Sequence, residues 1–93
     1  MSIINFYAEF FKASRYDHFH NREWFTPYEW RPQDFVHLSA LLKRRPDITP
    51  EYFIKIVNFY WDNADRIEKW SYSLGGVSRH FEKLETFFLR NQL

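Results

Sequence analysis

A chain of 93 residues, 45% hydrophobic and 27% charged, has the size and balance of one globular domain and not of a disordered tail. The absence of cysteine excludes disulfides and thiolate chemistry, and a net charge of +1 gives no global attraction to nucleic acid or anionic lipid. The opening Met1-Ser2-Ile3-Ile4-Asn5-Phe6 lacks the pattern of a secretory signal, and no run approaches the ~18 apolar residues of a membrane span, so the expected compartment is the cytoplasm.

In chain order, a first helix is expected over about Ile3 to Ser14, carrying Phe6 and Phe10, with Tyr7 and Phe11 as further candidates for its apolar face. The segment Tyr16 to Trp30 has no clean period of 3.6 or 2. It reads as an irregular connection of about 15 residues, either a functional loop or a lid whose aromatics cover the bundle. Pro32 opens a second helix with Phe35, Leu38, Leu41 and Leu42 on one side, and Pro46 stops it by disfavouring helical geometry at Arg45.

Thr49 as N-cap, Pro50 at the first position and Glu51 at the positive end then start a third helix. Its residues Phe53, Ile56, Val57, Tyr60 and Trp61 make one continuous apolar face, and Asp62-Asn63 ends it. The short link Pro46-Asp47-Ile48 predicts that the second and third helices pack as antiparallel neighbours. A polar connector follows, with a helical turn expected around Arg66 to Trp70. A last helix spans Ser73 to Arg90, with Leu74, Val77, Phe81, Leu84 and Phe88 as its stripe and Phe87 and Leu89 widening it. The expected architecture is an all-α single domain over residues 1–93, a compact bundle of four to five helices with a long aromatic-rich loop after the first.

Several side-chain groups could carry chemistry. His18 and His20, beside Asp17, would share one side of an extended segment, but a stable metal site needs further ligands, and the spacing of His37 and His80 supplies none. The serines show no nucleophile-elbow pattern, and a short helical domain offers little volume for a water-excluding cleft, so no catalysis, metal or cofactor is expected. Nucleic-acid binding has better support. Lys43, Arg44 and Arg45 cluster at the end of the second helix, where they equally answer the negative helix end. Ser78, Arg79 and Lys83 follow Gly75-Gly76, glycines that would let a phosphate or another backbone approach. The string Gly76 to Glu85 also has the pattern of a helix-turn-helix recognition helix, although the segment before it is short and Trp70 is bulky where that motif prefers small residues.

Aromatic residues make 23% of the chain, more than one small core needs, which leaves Trp24, Tyr28 and Trp30 as candidate anchors for a partner. The segments Trp30-x-x-x-Asp34-Phe35-x-x-Leu38-x-x-Leu41-Leu42, Pro46-Asp47-Ile48-Thr49-x-Glu51-x-Phe53, Phe59 to Trp61, and Ser73-Leu74-Gly75 before Phe81 and Leu84 together resemble a helical module. That module lies near the C-terminus of phage and prophage replication proteins of the replication-organiser or helicase-loader type. The resemblance covers a little over half of the chain and rests mainly on core and cap positions. It implies an accessory module, without catalytic residues, that contacts DNA or docks a protein in a replication or mobile-element complex, as a whole small protein or a domain cut from a longer one. The alternative expectation is a small phage-type regulator that blocks a host protein through its aromatic surface. Either would be a monomer or weak homodimer, with no membrane partner.

Overall fold

The computed structural model describes residues 3–29, 31–63 and 73–91. They form five helices and no strand: α1 (Ile3–Phe19), α2 (Pro32–Arg44), α3 (Pro50–Asn63), α4 (Leu74–Arg79) and α5 (Phe81–Asn91). None of the described helices is long and apolar enough to cross a membrane. The molecule measures 36 × 35 × 19 Å, so it is two helix diameters thick. The expected turn at Arg66 to Trp70 lies outside the described residues.

The helix starts follow the local chemistry. Thr49 Oγ1 accepts from Tyr52 N at 3.1 Å, and Ser73 Oγ accepts from Gly76 N at 3.0 Å. At α2, Asp34 reaches back to accept from Arg31 N at 3.1 Å. All five residues expected on the inner face of α3 are buried.

Helix α1 corrects two expectations. It continues to Phe19, so the irregular connection shortens at its N-terminal side. Its inner stripe is also Tyr7, Phe11, Arg15 and Phe19, one residue every four, with Ala8 and Ser14 beside it. Phe6 and Phe10 face outward, 47% and 39% exposed. Polar anchoring selects this rotation. Tyr7 Oη donates to the Ile48 carbonyl, and Ser14 Oγ donates to Asn58 Oδ1 while accepting from Trp61 Nε1 at 2.9 Å.

Packing also differs from the expected pairing. Helix α2 packs chiefly on α4, whereas α3 packs on α1 and α5. Ile48 is buried in the α2–α3 link, and Leu38 and Leu41 need the cover that α4 provides. Rings join the remaining layers: Tyr7 meets Phe53 edge-on at 5.6 Å, and Phe53 stacks on Phe81 at 5.5 Å.

The expected single last helix is broken at His80, which leaves helical geometry at φ −105° and ψ 13°. The stripe Leu74, Val77, Phe81, Leu84 and Phe88 stays buried through the break. The bend lets its first two members face α2 and the others face α3. Phe87 packs against the core, but Leu89 is 51% exposed and does not widen the stripe. A recognition helix running from Gly76 to Glu85 is therefore not formed as one straight element.

Candidate functional site

The basic cluster at the end of α2 is engaged with carboxylates from distant sequence. Arg45 donates to both oxygens of Glu85, at 2.8 and 3.1 Å, and to both oxygens of Asp47, each at 3.0 Å. Arg44 pairs with Glu82 at 3.0 Å. The Arg45 guanidinium holds Glu85 below the ordinary carboxylate range against the opposing effect of burial, and Tyr52 Oη adds a donor at 2.6 Å. The same guanidinium lowers Asp47. Burial, then the bond to Glu85, pushes Tyr52 up to about 12. These contacts turn Arg44 and Arg45 into ties between α2, its following turn and α5. Lys43 remains exposed at the edge of a shallow groove.

Of the second expected cluster, Arg79 and Lys83 are exposed, but Ser78 has no accessible surface and its Oγ is buried without a hydrogen bond among the described residues. Ser78 packs inside the bundle and does not reach a phosphate. The amides that Gly75-Gly76 were expected to offer are also occupied. Gly75 N donates to Asp34 Oδ1 at 3.0 Å, Gly76 N to Ser73 Oγ, and Leu74 N to Tyr28 Oη at 3.0 Å. Gly75 is required by close packing instead: a Cβ there would lie 2.7 Å from Asp34 Oδ1 and 3.2 Å from Asp34 Cα.

Asp34 is the hub of this junction. It is 3% exposed, and Tyr28 Oη donates to its Oδ2 beside the Arg31 amide. Burial, then this bond, raises the Tyr28 phenol well above its usual value. Tyr28, one of the expected anchors, is half-buried and bolts the loop to α2 and α4. Around the junction lies a cleft of about 530 Å³ lined by Arg31, Gln33, His37, Ser73, Arg79 and His80. The fold brings His37 and His80 to this one cleft although their spacing gave no sign of it. No group of three or more metal-ligating side chains occurs among the described residues. His18 and His20 sit at the end of a helix, two residues apart on different sides, and their Nδ1 atoms lie 3.1 and 2.8 Å from the carbonyls of Ser14 and Tyr16.

Of the expected partner anchors, Trp24 is 51% exposed and leans on Phe19 at 5.3 Å. Trp30 lies outside the described residues. Phe25 and Tyr28 pack against the core, so part of the aromatic loop does cover the bundle. Further apolar side chains are exposed elsewhere. Ile3, Phe6 and Phe10 occupy the outer side of α1, and Val36 on α2 is 65% exposed beside a groove of about 480 Å³ containing Ile4, Phe35 and Ala40. Arginine 15 is the other feature hidden from sequence reasoning. It is 8% exposed, donates from Nη1 to the Thr26 carbonyl at 2.9 Å, and lies over Phe25 and Tyr28 at 5.2 and 5.4 Å. Burial lowers its pKa. Compared with known proteins, the chain matches no family model, no curated sequence and no solved structure.

Proposed function

We propose that the chain is a non-enzymatic interaction module that docks a protein partner through the outer side of α1 and the adjoining part of α2. The observation that carries this reading is the exposed apolar strip Ile3, Phe6 and Phe10, with Val36 exposed on α2 beside the groove that Ile4 of α1 lines. Large side chains left exposed together on a small helical domain are expensive to keep in water, and aromatic anchors dominate typical interfaces. The resemblance to replication-organiser and helicase-loader modules supplies the setting: a replication or mobile-element complex of phage type. A phage-type regulator acting on a host protein would use the same surface and differs in what it binds.

The test is affinity capture from the source cells with wild type, a Phe6→Gln/Phe10→Gln double variant and Lys43→Gln. The reading predicts one specific partner, retained by Lys43→Gln and lost at least about tenfold by the double variant, as removal of two anchor rings implies. Equal capture by the double variant overturns it. A second reading, direct DNA contact, is favoured by the flanking of the α2–α4 cleft by Arg31 and Arg79. It predicts a gel shift whose affinity falls steeply with salt and weakens in Arg79→Gln, because each lost phosphate contact removes counterion release. No shift at low salt removes it.

A further inference from the structure

Arg15 lies in the third position of the inner stripe of α1, where its neighbours at the same spacing are Tyr7, Phe11 and Phe19. A cation placed among aromatic residues ordinarily acquires a carboxylate, because burying an unpaired charge is costly. Arg15 forms no ion pair among the described residues, and its Nε is buried with no hydrogen-bond acceptor there. The Thr26 carbonyl and the faces of Phe25 and Tyr28 answer part of the charge and leave the rest.

The side chain also lines a cavity of about 370 Å³ between α1 and the aromatic loop, with Ala13, Phe25, Pro27 and Tyr28 around it. That volume lies within the range of pockets that hold small molecules, and an apolar wall with a few placed polar groups is their usual make-up. Glu9 and Asp17 line the same cavity, and neither pairs with the guanidinium. Lys12 lines the cavity as well, so two carboxylates face two cations and the lining carries no net charge, which suits a singly charged ligand better than a polyanion such as phosphate.

From the buried, uncompensated guanidinium and the apolar cavity it lines, the geometry points to a binding site for a carboxylate carried on a ring or short apolar body. The carboxylate supplies the counter-charge that Arg15 lacks, and the apolar body fills the space against Phe25 and Pro27. The site adjoins the outer side of α1, since Glu9 and Ala13 follow Phe6 and Phe10 at a spacing of three residues on the same helix. Its chemistry fits either a free small acid or a carboxylate presented at a protein chain end.

The experiment is an NMR titration that follows the Arg15 Nε–Hε resonance and the amides of residues 9–28. The probes are phenylacetate, N-acetyl-Gly-Phe, phenylacetamide and inorganic phosphate. For ligands this small, saturable binding by one of the two carboxylates is expected on the order of millimolar. Phenylacetate saturating alone identifies a free acid, and N-acetyl-Gly-Phe saturating more tightly identifies a chain end. Arg15→Met keeps the aliphatic stem and should weaken binding at least about tenfold, the usual loss of a charge-assisted hydrogen-bonding partner. Asp17→Asn leaves the guanidinium in place and should tighten binding about twofold to threefold by removing a like charge. No movement of the wild-type Arg15 resonance with either carboxylate overturns the proposal. Equal binding of phenylacetamide, or tighter binding of phosphate, overturns it as well.

Discussion

A methyl group on Gly75 would press against Asp34 Oδ1, which is held in place by the Gly75 amide itself, and against the backbone of α2. Neither atom can swing away without breaking the junction. Gly75→Ala is therefore expected to lower stability by about 2 kcal/mol, the usual range for overpacking, in a urea or thermal melt. An unchanged melt contradicts the close approach of α4 to α2. Tyr28→Phe removes a donor from Asp34 and an acceptor from Leu74 N, and should cost about 1–2 kcal/mol. Ser78→Ala should behave in the opposite way. Its hydroxyl is buried and makes no hydrogen bond among the described residues, so its removal is expected to be neutral or stabilising. A loss above about 1 kcal/mol would mean that this hydroxyl has a partner that matters.

At the scale of elements, the Arg45–Glu85 pair ties the end of α2 to α5 and carries a pH signature. Glu85 titrates below its ordinary value in the folded state, so its contribution is fully present above the ordinary carboxylate range. It is lost as pH falls through the folded value. Glu85→Gln should flatten the acid limb of the stability curve, and an unchanged limb contradicts the pairing. Tyr52 acts on the alkaline side. Its folded value is raised from 10.0 to about 12, so stability should decline as pH rises through that interval and decline less in Tyr52→Phe.

The same elements show how far sequence reasoning reached. Helix α3 was readable because its cap, its proline and its unbroken apolar face agree. The face of α1 was not, because aromatic residues lie on two rival stripes and the inner one contains Arg15, whose charge hides the four-residue repeat. The stripe in α4 and α5 was readable, but the bend at His80 was not, since buried spacing survives it. The basic cluster looked available because its carboxylate partners Glu82 and Glu85 lie on α5, far along the chain. Only the fold brings them within reach.

On the scale of the whole molecule, a plate two helices thick has a large surface for its volume, and the aromatic residues fill both the core and part of that surface. Phe11, Phe53 and Phe81 are buried, whereas Phe6 and Phe10 face outward, so the same residue type packs the core on one side of α1 and is exposed on the other, where the proposed docking would take place. Site-specific photo-crosslinking tests that division most directly. A benzoylphenylalanine replaces Phe10 in one chain and Arg90, at the exposed end of α5, in another, both expressed in the source cells. The account predicts a single protein adduct from position 10 and none from position 90. Adducts from position 90 alone, or an adduct to DNA with no protein adduct at position 10, would contradict it.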